Sequence, residues 1–326
     1  MFFLFIRIYL CVCKIFNLKT YNSIFHFSSN KKTLITLGTF DGVHIGHQSI
    51  LKKLVNDKEK ELESVVLTFF PHPRMVLKQD DSIKLLNTID EKAELLENSG
   101  IDHLIVHPFD TTFSNLTAEE FVKDILVDKL NVQKIIIGHD HRFGKNRTAD
   151  IHDLIAFGEK YNFEVEQISA KEIDEISISS TKIRKALLNG NIKLANQYLG
   201  HSYSIFGQVI DGKKIGRTIG FPTANIKIEE SYKLLPKNGV YIVSSSIKDQ
   251  LFYGMMNIGN NPTIGENDQS IEVHFFNLNE EIYNQKIKIV FLEYIRDEKK
   301  FNSIGELQSQ LENDKKFSLD YIKEFQ

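Results

Sequence analysis

Two histidines three residues apart, His44 and His47, close a stretch in which Gly38, Gly42 and Gly46 fall within nine residues. Glycines let a backbone approach a ligand closely, and residues three apart share a face on the first turn of a helix. A helix N-terminus adds unpaired N–H groups and the positive end of the dipole, which together suit a phosphate. Two imidazoles placed there can donate to triphosphate oxygens and offset charge as pyrophosphate departs. Phe40 and Asp41 complete the turn. A glycine-rich turn with surface histidines is the plainer alternative, but the strand–turn–helix setting favours the phosphate reading. No Gly-Lys-Ser/Thr follows, so this is not a Walker loop. Metal ligation by the pair stays open, although no third ligand stands at a recognisable spacing.

Other residues carry chemistry of their own. Ser180, Thr181 and Arg184 stand at a helix start, where hydroxyls, N–H groups and a guanidinium can converge on phosphate. Phe69 and Phe70, with Pro71 and Pro73, can wall a planar ring, or can simply end a strand in the core. Asp140 is a loop aspartate, a type that more often stabilises a turn than binds a ribose. Farther on, Gly216-Arg217-Thr218-Ile219-Gly220-Phe221-Pro222-Thr223-Ala224-Asn225 again frees the backbone for phosphate, while Thr223 and Asn225 offer oxygens suited to Mg²⁺. Ordinary barrel turns use the same residue types. Within Ser270–Phe275, alternation places Glu272 and His274 on one strand face and Ile271, Val273 and Phe275 on the other. A carboxylate facing a cavity can take the proton of an attacking hydroxyl; a solvated strand glutamate would have no such task.

The elements that must position these groups fall into two patterns. Leu34–Leu37, Val65–Phe69, His103–Val106, Lys134–Ile137 and Phe163–Ile168 read as strands separated by helical spacing, with Ile50, Leu51, Leu54 and Val55 on one helical face. Thr88/Glu91 and Thr117/Glu120 have capping-box spacing and mark helix starts. This alternation predicts a doubly wound parallel sheet with ligands at the carboxyl ends of its strands. After about Gly200, the runs Ser204–Ile210, Val240–Ser245, Tyr253–Asn257, Ile271–Phe275 and Ile287–Leu292 follow one another with Gly- and Asn-rich turns, which predicts an antiparallel barrel. A helix over Ile183–Leu199 bridges the halves, and Ile304, Leu307, Leu311, Phe317 and Tyr321 mark a terminal helix. The expected division is therefore an extension over 1–20, a first catalytic domain over 21–185 and a second over 186–326.

Composition narrows the class. A chain of 326 residues exceeds one ordinary core. Its net charge of −3 gives no reason to expect nucleic acid as a partner. Both cysteines, Cys11 and Cys13, lie in the extension, so disulfide, thiol and cysteine–metal chemistry are excluded from the body, which suits a cytoplasmic protein. The apolar stretch Met1–Leu18 is interrupted by Arg7 and Lys14. Its uninterrupted runs fall short of the roughly 20 residues that span a bilayer, and it lacks the layout of a signal peptide. It reads as an extension outside the catalytic fold, with no stable membrane association expected.

The motifs, taken together, resemble a known family. His44-Ile45-Gly46-His47 looks like the H-x-G-H signature of nucleotidyltransferases, and with Gly38 and Phe40-Asp41-Gly42 it resembles the FAD synthetase domain of bacterial bifunctional riboflavin kinase/FMN adenylyltransferases. Thr68-Phe69-Phe70-Pro71-His72-Pro73 resembles that family's flavin-side loop, Gly138–Arg147 its G-x-D-x-x-F-G segment, and Ile178–Arg184 its I-S-S-T-x-I-R signature. The string from Gly216 to Asn225 resembles the riboflavin kinase signature G-R-x-x-G-F-P-T-A-N, with Pro236–Tyr241 and Asn257–Thr263 matching in order.

The resemblance covers about Lys31 to Gln326 and implies a nucleotidyltransferase domain followed by a barrel kinase domain. It implies ATP as co-substrate at two sites with Mg²⁺, and riboflavin and FMN as acceptors. His44, His47 and Arg184 would serve adenylyl transfer, with Gly38, Phe40, Asp41, Gly42, Gly46, Phe69, Pro71, Asp140, Ser180 and Thr181 lining that site. Glu272 would activate the ribityl hydroxyl, with Gly216, Arg217, Gly220, Phe221, Pro222 and Asn257 binding nucleotide or flavin and Thr223 and Asn225 the metal. Asn277–Glu281, His139 and His141 depart from the family pattern, which touches turn geometry and flavin contacts rather than the reactions. Relatives with other acceptors would lack the second motif set, and a non-catalytic flavin- or nucleotide-binding regulator would have no use for intact His44, His47, Arg184 and Glu272. Weak self-association is left open.

Overall fold

Short β-branched runs alternating with capped helices build the first half. A computed structural model describes residues 17–79, 82–139, 141–169, 178–212, 216, 219–260 and 269–324. Strands β1 (Lys19–Tyr21), β2 (Lys32–Leu37), β3 (Leu62–Phe70), β4 (His103–Pro108), β5 (Val132–Gly138) and β6 (Glu164–Ile168) form one sheet in the order β1-β4-β3-β2-β5-β6. Every pairing is parallel. Helices α1 (Ile45–Asn56), α2 (Pro73–Lys78), α3 (Ile89–Asn98), α4 (Thr111–Ser114), α5 (Ala118–Glu120, continuing as a π-helix over Phe121–Val127) and α6 (Ile151–Tyr161) make the crossovers or cover the faces.

Both expected capping boxes are present: Thr88 with Glu91 starts α3, and Thr117 with Glu120 starts α5. One sheet face buries Ile35, Val65, Leu67 and Ile135 against the π-helix and α6, and the other buries Leu34, Val66 and Ile136 against Ile50, Leu51 and Leu54 of α1 and Leu96 of α3. Each such fully buried aliphatic side chain stabilises the fold by roughly 1.5–3 kcal/mol. Strand order reverses between β2 and β5, so their carboxyl ends open a crevice there.

The second half closes a six-stranded barrel in the order β10-β11-β8-β7-β12-β9. Its strands are β7 (Ser204–Ile210), β8 (Ala224–Lys227), β9 (Gly239–Ile247), β10 (Gln250–Asn260), β11 (Gln269–Phe275) and β12 (Lys286–Arg296), all antiparallel to their neighbours. Val209, Tyr241, Val243, Met256, Ile271, Val273, Phe275 and Phe291 fill its interior. Helix α9 (Ile304–Lys323) lies outside, where Ile322 packs with Phe221, Ile242, Met255 and Phe276. No helix among the described residues is long and apolar enough to cross a membrane.

Three local expectations change. The single helix over Ile183–Leu199 is two, α7 (Ser180–Leu188) and α8 (Ile192–Leu199). Gly190 adopts φ 76° between them, and Asn191 caps the second by accepting from the Leu194 amide at 3.1 Å. The boundary expected at 185/186 thus falls inside α7, and α7 and α8 share one apolar cluster with the barrel interior and with Leu86. Lys19 and Thr20 belong to a sheet strand rather than to the extension; a three-residue edge strand has no apolar alternation to reveal it and is defined by its pairing with β4. Ala224–Asn225, read as part of a turn string, begin β8, again through pairing, here with β7 and β11.

Candidate active site

The turn after β2 enters the crevice at the strand-order reversal and runs directly into α1. Three of its residues are left-handed: Phe40 (φ 45°), Gly42 (φ 87°) and Val43 (φ 40°). For non-glycine residues such backbone costs on the order of 1–3 kcal/mol and persists only where surrounding contacts hold it. Phe40 is buried beneath His47, ring centroids 4.9 Å apart. A side chain at Gly42 would place its Cβ 2.6 Å from Leu86, so glycine is required twice over.

His44 caps α1, its Nδ1 accepting from the His47 amide at 3.4 Å, which in a neutral ring leaves the proton on Nε2. The two imidazoles stack at 3.7 Å and 16°. Burial, followed by the influence of His44 and Lys92, holds the His47 ring well below the usual imidazole range, so it stays neutral at pH 7. Gly46 lies within α1, buried.

Asp41 is buried, and its carboxylate forms an ion pair with Arg184 of α7 while accepting from the Leu86 amide at 2.8 Å. Burial raises its pKa, opposed by Arg184 and Lys92. Arg184 also donates from Nε to the Lys84 carbonyl at 2.8 Å. Asp41, expected among the ligand-binding residues, thus orients the arginine. Ser180 Oγ donates to the Asp41 carbonyl at 2.9 Å, Thr181 beside it is exposed, and the residue that caps α7 is Ser179.

Phe69 turns into an aromatic cluster with Phe109 and Phe113 at 5.7 and 5.3 Å, whereas Phe70 meets Tyr232 of the barrel half at 4.9 Å. Pro71 is exposed at the head of the following loop. His72, not singled out from the sequence, caps α2, and burial and then the charge of Arg184 lower its pKa to about 4. Asp140 lies outside the described residues, as does Arg217.

The second constellation occupies the barrel. Cross-strand registers pair Glu272 with Asn225 on one side and with Asn257 on the other, so the three side chains stand in a row on one sheet face. Ile271, Val273 and Phe275 point to the interior, placing Glu272 and His274 outside. Thr223 Oγ1 donates to Glu272 Oε2 at 3.2 Å. The preceding turn is tight: Gly216 accepts from the Ile219 and Phe221 amides at 3.2 and 2.9 Å, and Gly220 adopts φ 81°. Phe221 is buried under α9, so it anchors the turn rather than facing solvent. His274 accounts for Pro222: its Nδ1 donates to the Pro222 carbonyl at 2.8 Å while its ring meets Phe221 edge-on, fixing the turn over Glu272. Sequence alternation showed the face of His274 but not this bond.

Two further buried cations had no signal in the sequence beyond a lysine on an otherwise periodic segment. Lys92 lies under the turn after β2, and Lys233 reaches from the barrel half to Glu91.

Comparison with known proteins finds two family models along the chain. The FAD synthetase family model matches residues 26–182, and the riboflavin kinase family model matches residues 199–322. A bifunctional riboflavin kinase/FMN adenylyltransferase of Buchnera aphidicola is 41% identical over 87% of this chain and 92% of its own length. One from Listeria monocytogenes is 40% identical over 86% of this chain and 90% of its own. A solved structure titled as a macrolide-efflux protein from Streptococcus pneumoniae superposes with a TM-score of 0.84 at 31% identity, covering 92% of this chain and 98% of that one. Enzymes of these families use riboflavin, FMN and ATP together with a divalent metal. With both domains present, in order and over nearly the full length of such relatives, the chain belongs to the bifunctional riboflavin kinase/FMN adenylyltransferase family, and it phosphorylates riboflavin to FMN and adenylylates FMN to FAD with release of pyrophosphate.

Proposed function

We propose that adenylyl transfer occurs at the turn carrying His44 and His47, and phosphorylation at the outer barrel face carrying Glu272. The observation that carries this assignment is that Asp41, on the same turn as the stacked histidines, holds Arg184 of α7, while Glu272 stands between Asn225 and Asn257 on a separate set of strands.

In adenylyl transfer, the FMN phosphate attacks the α-phosphorus of ATP and pyrophosphate leaves. No covalent nucleophile of the protein is needed; the work is positioning and charge stabilisation. The imidazoles of His44 and His47 at the α1 N-terminus, the His47 ring neutral, donate hydrogen bonds, Arg184 supplies a guanidinium, and Ser180 and Thr181 present the α7 N-terminus to phosphate. The family resemblance assigns Gly38 and Gly42 to the nucleotide side and Phe69 and Pro71 to the flavin side, together with Asp140, which lies outside the described residues.

In phosphorylation, the Glu272 carboxylate takes the proton of the ribityl hydroxyl as its oxygen bonds the γ-phosphorus and ADP departs. Thr223 and Asn225 would hold Mg²⁺. Their uncharged oxygens next to one carboxylate suit a hard cation bound mainly through nucleotide phosphates and water. When bound, the cation lowers the charge of the triphosphate. Gly216, Gly220, Phe221 and Pro222 belong to the turn assigned to the phosphates, a role the motif extends to Arg217, and Asn257 flanks the base.

Chromatographic separation of riboflavin, FMN and FAD after incubation with ATP and Mg²⁺ tests both assignments. His44→Ala should abolish FAD formation and leave FMN formation intact, and Glu272→Gln should do the reverse with supplied FMN. Loss of both activities in either folded variant would refute the separation.

A further inference from the structure

Lys92 occupies the fourth position of α3, near the end of the helix where the dipole disfavours positive charge. Its side chain is buried. Nζ donates to the Thr39 carbonyl at 2.7 Å and to Thr68 Oγ1 at 3.3 Å, both neutral oxygens. Among the described residues, no carboxylate lies within ion-pair distance of it. A buried ammonium without an ionic partner weakens a fold unless something else requires it.

Its location supplies the requirement. Thr39 belongs to the turn that carries His44, and Thr68 to the end of β3 before the flavin-side loop, so one ammonium ties the nucleotide side of the site to the flavin side. The charged and titratable groups coupled to it are Asp41 on the turn, His47 on α1 and His72 after β3, with Arg184 of α7 paired to Asp41 and His44 stacked on His47. Arg184 already pairs with Asp41, and the imidazoles of His47 and His72 are neutral at pH 7. The Lys92 charge is therefore the surplus of this cluster, in a crevice that must bring two phosphate anions together.

Resting on the assignment of adenylyl transfer to this crevice, we propose that Lys92 is a positioning residue of that reaction: through Thr39 and Thr68 it fixes the two walls of the site, and its buried positive charge offsets the approach of the FMN phosphate to ATP. In the step itself, an FMN phosphate oxygen bonds the α-phosphorus as the bond to the bridging oxygen of pyrophosphate breaks, its electron pair leaving with pyrophosphate. Lys92 neither gives nor takes a proton and acts only while protonated. Burial lowers its pKa to about 8, which places loss of the charge within reach of assay.

The test is to measure adenylylation and riboflavin phosphorylation in the same preparations of the wild-type chain, Lys92→Met and His44→Ala, from about pH 6 to 10. Lys92→Met should lower kcat for adenylylation about 10- to 100-fold while phosphorylation stays within about twofold. The wild-type kcat/KM for adenylylation should fall on an alkaline limb near pH 8 that phosphorylation lacks and that the residual activity of Lys92→Met has lost. An unchanged adenylylation rate in Lys92→Met, or the same limb retained in it, would overturn the inference. Should Lys92→Met lack phosphorylation through misfolding, the wild-type profile decides alone, because absence of the limb sinks the idea. A fully active His44→Ala would instead overturn the placement of the reaction in this crevice.

Discussion

Replacing Lys233 by methionine should destabilise the whole chain, because this lysine forms a buried ion pair between the two halves. Its Nζ donates to Glu91 Oε2 at 2.5 Å, to the Leu86 carbonyl at 2.6 Å and to the Ser204 carbonyl at 2.9 Å, and lies 4.5 Å from the centre of the Tyr203 ring. The two side chains are 1% and 2% exposed, so water cannot replace a lost partner. Glu91 would keep the Thr88 and Phe206 amides, at 2.9 and 3.0 Å, but its charge would be left without a cation.

Stranding one member of a buried pair costs about 3–5 kcal/mol, and the two orphaned carbonyls act in the same direction. At about 2–4 °C per kcal/mol for domains of 150–250 residues, the melting temperature should fall by roughly 6–20 °C. Urea titrations of Lys233→Met, Glu91→Gln and the double variant would measure the coupling. Removing both charges should recover about 1–3 kcal/mol relative to the sum of the single changes. A loss below about 1 kcal/mol in Lys233→Met, or strict additivity in the cycle, would refute the reasoning.

Two other perturbations follow from the geometry. His274→Leu removes the donor to the Pro222 carbonyl and the edge contact with Phe221, so KM for ATP in phosphorylation should rise about tenfold, a loss of about 1.4 kcal/mol, while adenylylation of supplied FMN is unchanged. Lys92 also gives stability a pH dependence of definite sign: its folded pKa of about 8 lies below the ordinary lysine value of 10.5, so the unfolded chain binds the extra proton between them. This group's contribution should therefore increase by about 3 kcal/mol as pH rises through that window, seen as a higher urea midpoint near pH 10 than near pH 7.5 that Lys92→Met does not share once the remaining titrations are subtracted.

Much of the two sites was legible before any fold was known. The turns proposed to bind phosphate are short strings in which glycines, helix onsets and the candidate side chains are near neighbours, and backbone conformation over ten residues is largely a local matter. Strand alternation likewise placed Glu272 and His274 on one face, because a pleated strand has a period of two whatever it packs against. The less legible elements were those whose structure comes from a partner. Lys19–Tyr21 and Ala224–Lys227 are strands through pairing, and Asn189–Asn191 break a helix whose apolar spacing runs on across the gap.

The sequence by itself pointed to the two reactions the chain carries and to the segments proposed for them. The tertiary structure decided what the charged residues do: that Asp41 holds Arg184, that Lys92 joins Thr39 of the turn after β2 to Thr68 of β3, and that Glu91 both caps α3 and accepts Lys233 across 142 positions of sequence. Periodicity and motif spacing describe neighbours along the chain, whereas the burial and pairing of a charge depend on groups that only folding brings within reach.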